Sequence, residues 1–178
     1  QRRRYLACVL AVLVWTTGGV PATTGAQTPD RTERHRVPAD FMSYQGAPWL
    51  ERDERVEEEQ PGAVLDAIGL EPGDVVADMG CGSGYYARRM ARRVAPGGRV
   101  YCVDIQQEML DAVQRSLDAE GLTNTTIALS KENRLPLDDK ALDGALLAFV
   151  LQEAHDPDAL LGEVQRCLND NGWIAVLE

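Results

Sequence analysis

Residues 75–84 read Val-Val-Ala-Asp-Met-Gly-Cys-Gly-Ser-Gly, and they give the strongest local indication of the fold. It begins in a short β-branched run, predicted as a strand over 74–78, and it ends where a helix is predicted over 85–94. The glycines between them let the backbone turn tightly and approach a ligand that any Cβ would push away. The stretch therefore predicts a ligand-binding turn between a strand and a helix, with a purely structural glycine turn as the alternative.

Predicted strands and helices alternate downstream of the loop. They are helices over 106–120 and 158–168 and strands over 99–104, 125–129, 143–150 and 173–177. Residues 143–150 are nearly all apolar, as a strand buried on both faces requires. Upstream, a charged, helix-forming stretch over 49–59 precedes a helix predicted to begin at Pro61. This alternation predicts an α/β fold with a parallel sheet and right-handed crossovers.

Two acidic residues stand in register with the glycine loop. Asp78 lies just before it, where a carboxylate can accept a hydrogen bond from an ammonium group. Asp104 ends the second strand, 20 residues after Gly84, where it can accept hydrogen bonds from both hydroxyls of a ribose. Because acids stand at both positions, we interpret the glycine loop as a binding site for a nucleoside-containing ligand and not as a purely structural turn.

The spacing of the glycines separates two classes of cofactor. The pattern G-x-G-x-x-G places a pyrophosphate on a helix N-terminus, as in nicotinamide-dependent enzymes. Here Gly80, Gly82 and Gly84 follow an acid as G-x-G-x-G, which suits a cofactor without phosphates. An NAD-dependent oxidoreductase is therefore disfavoured.

The motifs D-M-G-C-G-S-G (78–84) and V-Y-C-V-D-I-Q-Q-E-M-L (100–110) resemble the first two motifs of class I S-adenosylmethionine-dependent methyltransferases. The similarity is greatest to the methyltransferase-domain group near the ubiquinone-biosynthesis type. It includes Leu135-Pro136-Leu137, the strand over 143–150 and the turn Asn171-Gly172 before Trp173, and it covers roughly residue 60 to the C-terminus. The resemblance implies a Rossmann-like three-layer sandwich with a mostly parallel sheet of strand order 3-2-1-4-5.

The resemblance also implies a cofactor, S-adenosyl-L-methionine, and the residues that bind it. Asp104 is expected to hold the ribose, and Ile105 is expected to pack on the adenine. The residues expected around the methionine part are Asp78, Gly80, Gly82 and Gly84, and Cys81 and Ser83 of the same loop are also expected to bind the cofactor.

The sequence departs from the family in two places. Relatives often carry Gly-Asp after the third strand, with the Asp reaching the adenine amino group, whereas this chain has Ser130-Lys131. A lysine ammonium cannot accept that hydrogen bond, so Glu132 or Asn133 is the expected substitute. The chain also ends on the fifth strand, without the family's last helix and strands 6 and 7. We expect a fragment of a longer gene product, with an exposed strand edge and an incomplete substrate pocket.

Catalytic candidates are expected beyond the carboxyl ends of the strands. Gln152, Glu153 and His155 follow the fourth strand. Glu153 and His155 are the available acid–base pair, which is needed only if the methyl acceptor must lose a proton. The alternative interpretation is a loop acid beside a helix cap at Asp156-Pro157.

Composition limits the classes of partner. The formal net charge of −10 over 178 residues argues against nucleic-acid binding, which needs clustered Lys and Arg. The four cysteines form neither a C-x-x-C pair nor a metal-ligand spacing, so no disulfide framework and no metal site are expected. The expected partner is a small-molecule methyl acceptor, whose reacting atom is open among oxygen, nitrogen, carbon and sulfur.

Residues 1–26 contain the three parts of a secretory signal peptide. Three arginines precede an apolar run over 5–15, and small residues lead to Ala26, the expected cleavage site. The run is short for a bilayer span, so we expect no stable membrane span after cleavage, with an uncleaved anchor as the alternative. A polar arm over 27–48 and a cofactor-binding methyltransferase domain over 49–178 complete the predicted organisation. Export, whether periplasmic or secreted, stands in tension with a cofactor that is made in the cytoplasm.

Two functions besides methyl transfer remain open at this stage. One is an exported protein that has the same fold and cofactor pocket and binds adenosylmethionine or a nucleoside without catalysing a reaction. The other is the disfavoured NAD-dependent oxidoreductase. Comparing the binding of adenosylmethionine, adenosylhomocysteine and NAD separates the three.

Overall fold

The computed structural model describes residues 13–16, 38–40, 42–132 and 134–178. Two short 3-10 helices, Tyr44–Gly46 and Trp49–Glu51, precede the first α-helix. The helices are α1 (Glu54–Glu59), α2 (Pro61–Ile68), α3 (Tyr85–Val94), α4 (Gln107–Ala119) and α5 (Pro157–Cys167). The strands are β1 (Leu13–Thr16), β2 (Val75–Met79), β3 (Arg99–Asp104), β4 (Thr125–Leu129), β5 (Leu142–Ala148) and β6 (Leu168–Leu177).

The strands form one sheet in the order β1-β6-β5-β2-β3-β4, in which β2 to β6 run parallel. Counted from β2, these five strands have the order 3-2-1-4-5, so the predicted α/β Rossmann-like fold is confirmed. Strand β2 lies between β3 and β5, with Asp78 opposite Cys102 on one side and Leu146 on the other. The glycine loop therefore leaves the sheet at its centre.

Helices cover both faces of the sheet and bury two hydrophobic clusters. One cluster joins Val76 of β2 to α2, α3 and α4. The other joins Ala77 of β2 to α5. Because successive side chains of a strand point to opposite faces, a run such as Val-Val-Ala serves both clusters. The result is the three-layer arrangement expected from the sequence.

Strand β6 begins five residues earlier than predicted. The turn expected at Asn171-Gly172 lies within β6, where the register shifts, since Leu142 of β5 faces Leu168 but Gly144 faces Trp173. Extra residues on one strand form a bulge of this kind without ending the strand. A Cβ at position 144 would lie 2.0 Å from the Trp173 ring, so glycine there admits the indole.

Strand β1 corrects two expectations about the chain's ends. It comes from the predicted signal peptide, which was expected to lie outside the fold, and it pairs antiparallel with β6 from Leu13↔Val176 to Thr16↔Trp173. It also covers the β6 edge that was expected to be exposed. The physical reason is that an edge strand presents unpaired N–H and C=O groups, which a short extended segment can satisfy. Signal cleavage itself remains a prediction, and cleavage after Ala26 would remove β1 and expose the β6 edge again in the mature chain. Residues 1–12 and 17–26 lie outside the described part of the chain.

None of the helices in the described residues is long and apolar enough to cross a bilayer.

Candidate functional site

A cavity of 660 Å³ opens at the carboxyl ends of β2, β3 and β5. Ligands of open parallel sheets bind at this edge, next to the loops that leave the strands. Helix α1 and the segment that precedes it form part of the cavity wall. The predicted site residues that line the cavity are Asp78, Gly80, Cys81, Gly82, Asp104, Ile105, Glu132, Glu153 and His155.

Two glycines make room for a ligand at the loop. Gly80 and Gly82 have φ angles of +64° and +52°, in the left-handed region that side chains rarely adopt. An ideal Cβ on Gly80 would lie 2.6 Å from Val150 Cγ2, and one on Gly82 would lie 2.9 Å from Leu50 Cδ1. Both distances are shorter than real contacts allow, so a side chain at either position would push the cavity wall aside.

Ser83 and Gly84 shape the loop and do not line the cavity. The Ser83 hydroxyl donates a hydrogen bond to Glu51 Oε1 at 2.5 Å, which ties the loop to the segment before α1. Gly84 has a φ of +81° and immediately precedes α3. Their direct contact with a cofactor stays a prediction.

Asp104 ends β3 with its carboxylate held by backbone groups. Its Oδ2 accepts from the Gly82 N–H at 3.0 Å, and its Oδ1 accepts from the Gln106 N–H at 2.9 Å. Burial raises the pKa of this carboxyl, and the N–H groups of Gln106, Gly82 and Ile105 oppose that rise. A carboxylate has about four lone-pair sites, so the Asp104 side chain can still accept a hydrogen bond from a ligand hydroxyl besides these N–H groups.

Asp78 is buried at the end of β2, and its Oδ2 has no hydrogen-bond partner among the described residues. Burial raises its pKa to about 7. The Ala87 N–H and the Arg55 guanidinium oppose the rise, and the Asp104 charge adds to it. An orphaned buried oxygen is costly, so its presence beside a cavity marks a place where a ligand donor can bind.

The segment before α1 crosses the cavity mouth and is held by polar contacts. Gln106 Nε2 donates to the Met42 carbonyl at 2.8 Å, and Gln106 Oε1 accepts from the Tyr44 N–H at 3.0 Å. The Ala39 N–H donates to the Gln152 carbonyl at 2.9 Å. The described part of the predicted polar arm or linker thus contacts the loops that follow β3 and β5.

A buried polar cluster joins α1 to α3, and the sequence interpretation did not find it. Arg55 Nε lies 2.5 Å from Glu59 Oε1, and Glu59 Oε2 accepts from the Tyr86 hydroxyl at 2.9 Å. The Arg55 guanidinium carbon lies 4.0 Å from the centre of the Tyr85 ring. Arg55 and Glu59 stand four apart on a helix, which a sequence shows, but that spacing is equally typical of a solvated helix face. Only packing against the tyrosines shows that the pair is buried.

His155, one of the two catalytic candidates, contacts Glu132. His155 Nδ1 lies 2.6 Å from Glu132 Oε1, and both side chains are largely exposed at the cavity mouth. Glu153 also lines the cavity, and partial burial raises its pKa. Glu132 was expected to reach the adenine, and its contact in the structure is with His155. Asn133, the other expected substitute, lies outside the described residues.

The residues of this cavity fit S-adenosylmethionine. That cofactor needs a hydrogen-bond acceptor for its ribose, another acceptor for its ammonium group, and a loop whose backbone can come close to it. Asp104 and Asp78 provide the acceptors, and the loop at Gly80 and Gly82 provides this backbone cradle. The cofactor has no phosphate, and the loop has the G-x-G-x-G spacing that suits such a ligand.

Comparison with protein families gives a match to the methyltransferase domain over residues 77–176, just over half of the chain. The chain belongs to this family. The resemblance stated from the loop and the β3 motif is therefore confirmed, and so is S-adenosylmethionine as the cofactor that the fold is built to bind. The matched residues begin inside β2, so α1 and α2 precede the matched segment.

Individual relatives support the same assignment. The chain is 36% identical over 115 residues to an uncharacterized 37.1 kDa protein in transposon TN4556 of Streptomyces fradiae, covering 65% of this chain and 33% of that protein. It is 33% identical over 110 residues to the ubiquinone/menaquinone biosynthesis C-methyltransferase UbiE of Cupriavidus necator, covering 62% and 45%. The crystal structure of an S-adenosylmethionine-dependent methyltransferase from Aquifex aeolicus matches with a TM-score of 0.74 and 30% identity, covering 76% of this chain and 72% of that one. The chain thus spans between a third and a half of the length of these two curated relatives.

Proposed function

We propose that this protein is an S-adenosylmethionine-dependent methyltransferase that acts on a small-molecule acceptor. The observation that carries the proposal is the pair of buried acceptors, Asp78 and Asp104, at the same cavity as a glycine loop in which an added Cβ would clash with the cavity wall. The family match and the similarity to UbiE support it.

The chain's own residues supply position and environment. When bound, S-adenosylmethionine supplies an electrophilic methyl group on a sulfonium. The Asp104 carboxylate holds the ribose and Asp78 holds the ammonium, which orients the cofactor along the loop. Alignment of nucleophile, methyl and sulfur in a water-poor site accounts for most of the rate gain in such a displacement.

The remaining wall favours an acceptor with an apolar body. Lining residues there include Met42, Leu50, Met109, Leu135 and Leu160. Apolar walls contribute affinity through surface burial, and a few polar groups fix the orientation of the ligand. Polar side chains that line the cavity include Glu132, Glu153 and His155.

A general base is expected among these side chains if the acceptor loses a proton. Changing His155→Asn or Glu153→Gln is then expected to lower kcat by about 100-fold, the usual scale of general-base loss, without changing the affinity for adenosylhomocysteine. Glu71→Gln, an exposed acid in the loop before β2, is the matched control and leaves kcat unchanged. Unchanged turnover in both His155→Asn and Glu153→Gln contradicts the assignment of a base to either residue.

Cofactor affinity is expected to depend on pH through Asp78. Because its pKa is about 7 in the free protein, the carboxyl is mostly protonated at pH 6, whereas a ligand ammonium favours the ionised form. Affinity for adenosylhomocysteine should therefore rise about 10-fold from pH 6 to pH 8, with proton release on binding below pH 7. Calorimetry in buffers of different ionisation enthalpy measures both quantities.

The Asp78→Asn variant is the control for that pH dependence. It cannot titrate, so most of the pH dependence should disappear, and what remains is assigned to Asp104, whose pKa burial also raises. A wild-type affinity that is flat between pH 6 and pH 8 would contradict the role of Asp78.

Binding and turnover together test the proposed function. Calorimetry on the full chain with adenosylmethionine, adenosylhomocysteine and NAD is expected to show binding of the first two and none of NAD. Methyl transfer to a panel of oxygen, nitrogen, carbon and sulfur nucleophiles is the second measurement. Tight binding without transfer to any of them favours the non-catalytic exported binding protein, and a preference for NAD overturns both.

We also propose that the protein is exported through cleavage after Ala26. The support is the order of charged, apolar and small residues over 1–26. Mass spectrometry of the protein recovered from outside the cytoplasm is expected to find a chain that begins at Gln27. Recovery of the intact chain in the cytoplasm alone would contradict export.

A further inference from the structure

We propose that Cys81 and Cys102 form a redox-sensitive pair, and that a disulfide between them weakens cofactor binding by drawing the glycine loop toward β3. Cys81 lies in the glycine loop, and Cys102 lies in β3, two residues before Asp104. The effect on the cofactor rests on the proposed function, whereas formation of the disulfide does not depend on it.

The two thiols meet in the interior of the protein. Cys81 is 6% exposed and Cys102 is fully buried, and both belong to the hydrophobic cluster that joins β2 to α2, α3 and α4. A hydrogen bond joins the two thiols. Their backbones are also close, because the Cys81 N–H donates to the Val103 carbonyl at 2.9 Å. Cysteines on neighbouring segments whose side chains meet in this way have the proximity that a disulfide needs.

The cavity makes one thiol of the pair accessible to a reagent. Cys81 lines the cavity, whereas Cys102 has no exposed surface. The hydrogen bond to Cys102, burial and the charges of Asp78 and Asp104 raise the pKa of the Cys81 thiol. Its thiolate is therefore scarce at neutral pH and reacts slowly, although a thiolate of high pKa is strongly nucleophilic. A small electrophile that enters the cavity is expected to attach to Cys81 first.

A small-molecule disulfide is the oxidant that completes the reaction. Cys81 loses its proton and its thiolate attacks one sulfur of the small disulfide, which breaks the S–S bond and releases one small thiolate. Cys102 then loses its proton, and its thiolate attacks the Cys81 sulfur of the mixed disulfide and releases the second small thiolate. The two released thiolates take up the two protons. Two protein thiols are thus oxidised, and one small disulfide is reduced to two thiols.

The new bond is expected to move the glycine loop. A disulfide brings its two sulfurs to about 2.0 Å, which is much closer than two hydrogen-bonded thiols. The Gly82 N–H, next to Cys81, donates to Asp104 Oδ2 at 3.0 Å. A shift of the loop therefore disturbs the carboxylate proposed to hold the ribose. Disulfides persist in oxidising compartments, and the proposed export would carry the protein to one.

The test treats the folded full-length chain with 2-hydroxyethyl disulfide and maps the products by trypsin digestion and mass spectrometry. Trypsin leaves the four cysteines in separate peptides, with Cys81 in 56–88 and Cys102 in 100–115. We expect these two peptides to be linked. The oxidised protein should bind adenosylhomocysteine about 10-fold more weakly, the scale of one lost hydrogen bond to a charged group. Dithiothreitol should restore the affinity.

Three variants test the order of the two steps. In Cys102→Ala the reaction should stop at the mixed disulfide, with mercaptoethanol attached to Cys81. In Cys81→Ala no product is expected at Cys102, because that residue has no exposed surface. Cys167→Ala removes a buried thiol of α5 and is the matched control, which keeps both the link and its effect on affinity. Thermal unfolding of each variant verifies that the protein is folded.

The outcomes separate the redox pair from the proposed function. Absence of the link in the folded wild type, or a link that leaves the affinity unchanged, overturns the redox pair alone. Links that also include Cys8 or Cys167 indicate reaction through the unfolded chain and overturn it as well. If the reduced wild type does not bind adenosylhomocysteine, the proposed function and the effect on the cofactor are wrong, even where the two peptides are linked.

Discussion

Changing Gly80→Ala is expected to lower the affinity for adenosylhomocysteine by at least about 100-fold. The added Cβ would lie 2.6 Å from Val150 Cγ2, and Val150 is β-branched and therefore stiff. The clash is relieved only by moving the loop or Val150, and both line the cavity. Alanine at a φ of +64° also costs about 1–2 kcal/mol of stability. Calorimetry and thermal unfolding measure the two effects.

Gly69→Ala separates backbone strain from loss of the cradle. Gly69 has a similar φ of +75°, but a Cβ there meets nothing within 4 Å. It should lose similar stability and keep the wild-type affinity. In the double variant Gly80→Ala/Val150→Ala the clash is removed, so part of the affinity should return. Equal affinities of Gly69→Ala and Gly80→Ala for adenosylhomocysteine would contradict a role of the Gly80 loop in ligand binding.

The second large effect is expected for Asp104→Ala, which should also weaken adenosylhomocysteine binding at least about 100-fold. The carboxylate is the proposed acceptor for two ribose hydroxyls, and hydrogen bonds to a charged group contribute about 1.5–3 kcal/mol each. The same change leaves the N–H groups of Gly82 and Gln106 without their acceptor, which loosens the loop itself. Affinity by calorimetry is again the measurement.

Two further variants define the contribution of Asp104. Asp104→Asn keeps the shape but has one acceptor oxygen, so its affinity should lie between those of the wild type and Asp104→Ala. Asp118→Ala removes an exposed acid of α4 that accepts only from Gln114 among the described contacts, and it should bind as the wild type does. If Asp104→Ala bound adenosylhomocysteine with wild-type affinity, the proposed contact between Asp104 and the ribose would be wrong.

The cofactor half of the site was predictable because its chemistry is local in sequence. Gly80 and Gly82 stand in one loop, and Asp104 follows the next strand, so a strand–loop–helix pattern was enough to bring them together. Apolar runs likewise indicated the parallel strands, since a strand that is buried on both faces, such as residues 143–150, is nearly all apolar. The ends of elements were less certain, as the early start of β6 illustrates.

Contacts between distant segments were not predictable. Nothing in the spacing of Arg55 and Glu59 distinguishes a buried pair from a surface one, and the partners that bury them, Tyr85 and Tyr86, come some 30 residues later. The pairing of His155 with Glu132 was missed for the same reason, because the two lie on loops after different strands.

The sequence was sufficient to predict the α/β class, the order of the parallel strands through the family resemblance, and a glycine loop suited to a nucleoside cofactor without phosphates. Tertiary structure alone decided that β1 covers the β6 edge, that the arm docks across the cavity mouth, and that Arg55 faces Asp78 and Tyr85. The two sets of features differ in how far apart in the chain the interacting residues lie. Glycine spacing and strand alternation act between near neighbours in the chain, whereas burial of a charge depends on every segment that packs around it.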